Sequence, residues 1–499
     1  MPTESDFVPD PRRWRVLAVL VVALFMSLVG VSIVNVALPS IQAGLEADQS
    51  ELQWVLSGYA LTFGIGLVTA GRAGDLYGRG PLFIAGVALF TAASVASGLA
   101  QDALTLNVAR AVQGVGSGLL NPQAVGMIQD HFRGAERGRA FGVFGSAVGV
   151  SVAVGPLLGG LLIEAGGITD GWRWTFFVNV PVGILAIALA LAWFPRPLLD
   201  RAGPNRGDPD RGDGGDAGSS GGRRSRDLDP VGAILLGLAV LAVLLPFVEG
   251  GTAPAWIWLA LPAGAGLTAA WLRWERRQKR RGRHPMVNLA IFRVRSFANG
   301  SLLITLYFMG ITSVWVLVAL YMQDGLGHTA LESGFVGLPS AICSAVAAAW
   351  GGRNVMRHGR KVVIGGMYFA LVGLVASMAV VWLQGQGRAS EWWLLLTLAF
   401  VGIAQGSVIS PNQTLTLADV PLEYAGSSGG IMQTGQRIGT SVGIAVITAL
   451  AFRILEIGDW PTAFIAGFLG IIVVVTLALV VALADERYRR RQLQYDAGG

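Results

Sequence analysis

Two arginines in this chain occupy places where a cation is expensive. Arg110 opens the run RAVQGVGSGLLNPQ, and Arg437 lies inside SSGGIMQTGQRIGTSVG, both within stretches otherwise apolar and rich in glycine. A charge at the centre of a hydrocarbon layer costs about 2.5–3.5 kcal/mol on insertion scales, so each must face protein or a water-filled cavity. Polar residues keep them company: Gln113, Asn121 and Gln123 follow Arg110, Gln433 stands one turn before Arg437, and Asn35, Tyr59 and Asn412 interrupt other apolar runs. Such a set can bind an amphipathic solute through hydrogen bonds and charge. A snorkelling structural arginine is the alternative for Arg110, and a helix–helix hydrogen bond the alternative for Asn35. The same interior holds no nucleophile–base set. His131, His284, His328 and His358 are expected in loops, none paired at ligand spacing, and Cys343 is the single cysteine. An enzyme, a metal centre, a bound cofactor and a disulfide framework are therefore not expected.

The elements that carry these residues are membrane spans. Of 499 residues, 53% are hydrophobic and only 14% charged, against about a quarter charged in soluble domains. Fourteen apolar runs, each long enough to cross a hydrocarbon core of about 30 Å, fall near 16–38, 54–73, 82–100, 105–127, 141–163, 175–195, 231–248, 255–272, 297–322, 333–351, 362–383, 393–415, 428–451 and 462–484. The first is too long for the core of a cleaved signal peptide. The fold class predicted is an all-α polytopic membrane protein in contact with the bilayer.

A glycine-rich hairpin organises the chain. Residues 71–80 read GRAGDLYGRG, in which Gly71, Gly74 and Gly78 allow close helix approach and a tight turn. Asp75 and Arg79 supply opposite charges there. The pattern recurs at 352–361 as GRNVMRHGRK, with Gly352, Gly359 and Arg360 at the places of Gly71, Gly78 and Arg79, and Met356 at the place of Asp75. Two copies, each between the second and third helix of a set of six, imply two related halves with a helix pair inserted between them, a 6+2+6 plan. The expected parts are an N-terminal six-helix bundle (1–195), a disordered cytoplasmic linker of alternating charge (196–230), an inserted two-helix segment with a basic loop (231–295), a C-terminal six-helix bundle (296–484) and a cytoplasmic tail (485–499).

The net charge of +6 raises nucleic acid as a partner, but its distribution argues against one. Basic residues gather in alternate loops, from Arg12, Arg13 and Arg15 to the series ending at Arg491, while the opposite loops hold only Arg173, Arg388 and Arg453. That is the positive-inside bias, and it puts both termini in the cytoplasm of a cell whose plasma (inner) membrane the chain spans many times. Neither lysine, Lys279 or Lys361, sits in a phosphate-binding GxxxxGK[ST] loop, which excludes a motor driven by ATP within this chain.

The fifth run reads SVAVGPLLGG. Pro156 removes a backbone donor there, and Gly155, Gly159 and Gly160 offer a flat face suited to a sliding contact between halves. Trp172, Arg173 and Trp174, in GWRWTFFVNVPVG, are expected at the outer interface, as is Trp54.

With these residues in view, the chain resembles the major facilitator superfamily, and within it the 14-helix drug:proton antiporter branch. The hairpin from Gly71 to Arg79 is similar to the superfamily's signature loop, Arg110–Gly118 to its helix 4 motif, and Gly155–Gly160 to the antiporter motif of helix 5. SIVNVALP and WRWTFFVNVP resemble that branch in particular. The sequence departs from it at Gly30, where the branch carries an acid, at Ser151, where the helix 5 motif has glycine, and at Gly80 and Pro81, which follow the hairpin in place of basic residues.

The resemblance implies a monomeric secondary transporter exporting amphipathic organic compounds, drugs or antibiotics, against protons, with two bundles rocking about a central cavity. Asp75 would latch the cytoplasmic closure near the N-terminal end of a C-half helix. Arg110 would couple substrate and proton, while Asn35, Tyr59, Gln113, Asn412, Gln433 and Arg437 would line the cavity. A dedicated metabolite exporter or a facilitator is the other transport reading. A membrane-embedded enzyme or a transport-dead sensor is the reading of a different class.

Overall fold

A computed structural model of the protein describes residues 10–167, 169–196, 229–249, 254–281 and 285–497, and among them every regular element is helical. The first seven α-helices are α1 (Arg13–Leu45), α2 (Gln49–Tyr77), α3 (Arg79–Leu99), α4 (Ala103–His131), α5 (Gly134–Gly166), α6 (Gly171–Phe177) and α7 (Asn179–Trp193). Then follow α8 (Pro230–Glu249), α9 (Ala260–Arg280), α10 (Arg295–Leu320), α11 (Ala330–His358), α12 (Arg360–Gly385), α13 (Leu394–Thr416), α14 (Ala425–Leu455) and α15 (Trp460–Ala497). Thirteen segments among the described residues are long and apolar enough to cross a membrane, with α6 and α7 forming one of them. The helix α4 is as long as α2 but is not among the thirteen, because Arg110, Gln113, Asn121, Gln123 and Gln129 run along it.

Two sequence expectations shift here. Most of the expected linker (196–230), residues 197–228, lies outside the described residues, and its last residue, Pro230, already begins α8. The tail expected from 485 continues α15 without a break as far as Ala497, because nothing between 484 and 497 is a glycine or a proline to stop it.

The repeat seen in the hairpins extends to whole helices. Both α2 and α11 are 29 residues long and open on a capping box, Asp48 with Glu51 and Thr329 with Glu332. Both close on a glycine in a backbone conformation that side chains resist, Gly78 at φ 99° and Gly359 at φ 56°. Only glycine makes that turn without strain, so the next helix starts one residue later, at Arg79 or Arg360. Long-range contacts collect the hairpins at one end of the molecule. There Arg13 pairs with Glu136, Arg79 with Asp130, and Arg360 with Asp485. We call this the hairpin end.

The helices α8 and α9 lie over the seam between α2 and α14. Val240 and Leu244 of α8 pack with Leu61 of α2 and Ile438 of α14. Trp271 of α9 packs with Val68 and Ile431. The outer surface of the bundle is studded with large apolar side chains such as Leu104, Val372, Leu477 and Val480, which suits lipid contact.

Candidate functional site

The first part of the site is the α2–α3 hairpin. Asp75 accepts hydrogen bonds from the backbone N–H groups of Gly426 at 2.9 Å and Ser427 at 3.0 Å, one to each carboxylate oxygen. These are first-turn amides of α14, where unpaired donors and the helix dipole both favour an anion. Arg79 donates to the same carboxylate at 2.8 Å, to the Gly126 carbonyl at 3.0 Å, to Asp130, and across to the Leu422 carbonyl at 3.2 Å. Gly71 is what permits the approach: a methyl group there would fall 2.3 Å from the Gly426 carbonyl oxygen. Gln129 of α4 reinforces it from the other side, donating to the Ala425 carbonyl at 3.1 Å.

From this latch, α2 and α14 run antiparallel as a ladder. Gly71 meets Gly426, Leu67 meets Gly430, and Phe63 meets Arg437, whose guanidinium lies 4.2 Å from the ring centroid. Beyond that rung the helices part, and α14 turns to its own half: Gly439 abuts the Thr305 carbonyl and Gly443 the Met309 carbonyl, both on α10. The other crossing behaves alike. Gly138, Gly142 and Gly149 of α5 face Gly352, Ala348 and Ala341 of α11, after which Gly155 and Gly159 face Ser32 and Ile33 of α1. Both helices thus bind the opposite half at the hairpin end and their own half at the far end. The two crossings therefore tie the halves together at the hairpin end.

Arg437 stands where the ladder stops. It is partly exposed and makes no hydrogen bond or ion pair among the described residues. One turn along α2, Tyr59 carries the second arginine: the Arg110 guanidinium lies 4.5 Å from its ring centroid, and the Tyr59 hydroxyl bonds Ser117 at 2.7 Å. Arg110 is buried, donating to the Val55 carbonyl at 2.9 Å and to Gln113, which in turn donates to Ser94 at 2.7 Å. No carboxylate among the described residues pairs with either arginine. Carbonyls, an amide and π faces share the charge instead.

The remaining expected site residues divide. Gln433 lies on the α14 face between Gly430 and Arg437 and is partly exposed. Gln113 and Tyr59 are 0% and 3% exposed, so they form the wall behind Arg110 rather than the lining expected of them. Asn412 is a correction of a different kind. It is fully buried near the hairpin end, where its amide donates to the Gly300 carbonyl at 3.0 Å and its oxygen accepts from Arg360. Asn35 sits on α1, and its side chain lies outside the described residues. In the helix 5 motif, Gly155 and Gly159 pack on α1, Pro156 points toward Gly334 of α11, and Gly160 has open space where a side chain would go. The contact that this helix makes between halves is therefore Gly138–Gly149, roughly two to five turns before the motif. Trp172 is buried against Phe176, whereas Trp174 and Trp54 are exposed as interface residues should be.

Three groups escaped sequence reasoning. Asp485 is buried and pairs with Arg360 at 2.8 Å, replacing the acid that Met356 lacks. Asp229 and Glu275, both buried at the foot of α8 and α9, flank Gly232. Trp274 donates to both oxygens of Asp229, at 2.9 and 3.0 Å. All three acids lie near helix ends, where a charge reads as solvated until its partner is known.

Two glycine-bearing hairpins and a charged contact that joins them to distant helices, in an all-helical chain of many apolar spans, fit a membrane transporter built of two related halves. The chain belongs to the Major Facilitator Superfamily, whose family model matches residues 20–444 and 301–498. It is 32% identical over 458 residues to the probable actinorhodin transporter of Streptomyces coelicolor, covering 91% of this chain and 75% of that one. It is 30% identical over 448 residues to the tetracenomycin C resistance and export protein of Streptomyces glaucescens, covering 88% and 76%. The fold matches the solved structure of the proton:xylose symporter XylE with a TM-score of 0.64 at 15% identity, over 94% of each chain.

Proposed function

We propose that this protein exports amphipathic organic compounds of the antibiotic type from the cytoplasm by proton antiport, through alternating access of two six-helix bundles. The observation that carries the reading is the partner exchange of α5 and α14, which bind across the halves at the hairpin end and within their own half beyond it. With the hairpin end cytoplasmic, this is the conformation closed toward the cytoplasm, and breaking the Asp75 latch while closing the far end converts it to the other. The transport of antibiotics named for two relatives supports the substrate class.

In this proposal the span count is fourteen, with α4 the fourteenth: its polar face is turned to protein, which lets a hydropathically poor helix cross. The plan is then 6+2+6, with α8 and α9 as the inserted pair, both termini cytoplasmic, and the working unit a monomer in the plasma membrane. Gln433 and Arg437 face the solute, with Tyr59 and Gln113 behind them. Arg110, stacked on Tyr59, helps couple solute and proton. No acid stands at Gly30, so the buried carboxyls Asp229 and Glu275 are the groups we assign to proton binding.

The test is transport in inverted membrane vesicles from a strain expressing the protein, with an aromatic antibiotic as solute. An imposed proton gradient should drive uptake, and a protonophore should abolish it. Uptake that persists unchanged with the gradient collapsed would leave a facilitator. No solute movement under any gradient, at normal membrane abundance, would leave a sensor.

A further inference from the structure

Between α12 and α15, on the outer surface at the hairpin end, lies a groove of about 410 Å³ lined by Lys361, Ile364, Gly365, Tyr368, Leu483, Glu486, Arg487 and Arg490. Each helix contributes a stripe at helical spacing, 361, 364, 365 and 368 on α12, and 483, 486, 487 and 490 on α15. Both stripes run in the same chemical direction. The basic residues Lys361, Arg487 and Arg490 stand toward the hairpin end, and the apolar Ile364, Tyr368 and Leu483 stand toward the middle of the bundle. Glu486 is the one acid in the groove, and it is bound to Arg490 at 2.9 Å, so Lys361 and Arg487 remain as an excess of positive charge. The floor is Gly365, above which a methyl group would meet nothing within 4 Å. Next to the groove, Phe369, Val372, Leu477 and Val480 are exposed apolar residues of the kind that face acyl chains.

We propose that this groove is a binding site for an anionic phospholipid, with the phosphate at Lys361, Arg487 and Arg490 and one acyl chain laid over Gly365 against Ile364, Tyr368 and Leu483. A polar anion and an apolar tail in that order match the two stripes, and neither a free phosphate nor a neutral lipid uses both parts. The first turn of α12, beginning at Arg360, adds a dipole that favours the phosphate. A basic pocket between spans at a membrane face is the setting in which such headgroups are held. The neighbouring pair Arg360–Asp485 ties the same two helices together beneath the groove, so a bound lipid would bear on the packing of α12 against α15.

The experiment is native mass spectrometry of the full chain in detergent, titrated with phosphatidylglycerol. One saturable adduct is expected. Each basic residue removed should weaken it roughly fivefold, so Lys361→Gln with Arg487→Gln and Arg490→Gln should weaken it on the order of a hundredfold. Gly365→Phe, which has room to fold, should block the adduct by filling the floor. Phosphatidylethanolamine should bind no better than phosphatidylglycerol binds the triple variant, and millimolar inorganic phosphate should not displace the lipid. Equal binding of the two lipids, displacement by inorganic phosphate, or an adduct unchanged in Gly365→Phe would each overturn the proposal.

Discussion

The Asp75 carboxylate lies 2.9 Å from the backbone N–H of Gly426, a residue 351 positions away on the opposite half of the molecule. With the Ser427 amide on its second oxygen, the acid caps α14 as an N-cap residue would, but from another helix. Arg79 sits behind it, bonded both to Asp75 and to the Leu422 carbonyl just ahead of α14, so the hairpin grips that helix start by anion and cation together.

Removing that anion should cost transport and spare folding. A hydrogen bond to a charged group contributes about 1.5–3 kcal/mol, which shifts the ratio of closed to open forms about ten- to a hundredfold. Asp75→Asn keeps the shape and loses the charge, so vesicle flux should fall at least about tenfold while membrane abundance stays level. Met356→Leu, at the repeat position, should leave flux unchanged, since that side chain is exposed and holds nothing. Full flux from Asp75→Asn at equal expression would remove the latch from the mechanism.

The C-terminal half solves the same problem with a distant acid. Arg360 is fully buried, and its carboxylate partner is Asp485 at 2.8 Å, which also accepts from Asn299 at 2.8 Å. Stripping one partner from a buried pair costs about 3–5 kcal/mol, because the other charge is left unpaired. Asp485→Asn should therefore lower the melting temperature in detergent clearly, and the double change Arg360→Met with Asp485→Leu should recover most of the loss. A melting temperature unmoved by Asp485→Asn would mean that Arg360 finds its compensation elsewhere.

That pair also shows why some of this architecture was legible in the chain and some was not. The hairpins could be read because glycine, acid and arginine lie within one turn of sequence, where backbone geometry alone dictates their meeting. Asp485 could not, because 125 positions separate it from Arg360 and its neighbours are the charges of a helix end. The helices were readable from hydrophobic length, but their faces were less so. Glycines at 138, 142 and 149 form the close contact between halves, while the more conspicuous Gly155–Pro156 run packs mainly inside its own half. Trp172 misled for a related reason: a tryptophan beside an arginine resembles an interface anchor, and only packing reveals it as core. Asn412 was placed in the cavity because an amide in an apolar run implies a polar surrounding, and here that surrounding is Arg360.

Topology can be checked by cysteine labelling in a Cys343→Ser background. Gly215→Cys, in the segment between α7 and α8, and Tyr495→Cys, at the end of α15, should react only with a reagent that reaches the cytoplasm. Gly458→Cys, between α14 and α15, should react from outside intact cells. External labelling at 215 would change the number of spans before it, and with that the place of α4 among them.

The last prediction concerns solute charge. Arg437 is partly exposed at the end of the α2–α14 ladder, with the face of Phe63 as its neighbour and, among the described residues, no carboxylate on it. Arg110, behind Tyr59, keeps its charge and, among the described residues, is held by a carbonyl, an amide and a ring face rather than by a carboxylate. A cationic solute entering between the halves meets two like charges in a medium that screens them poorly. An acidic or phenolic solute supplies an anion for the partly exposed guanidinium, through a charge-assisted bond. Export should therefore favour neutral and weakly acidic compounds over lipophilic cations of similar size. Arg437→Gln should reduce export of an acid at least about tenfold and that of a neutral analogue far less, since one charge-assisted bond contributes about 1.5–3 kcal/mol. Paired uptake assays in vesicles, with an acid, its methyl ester and an organic cation, decide the matter. Strong transport of the cation together with none of the acid would mean that the solute avoids Arg437 altogether.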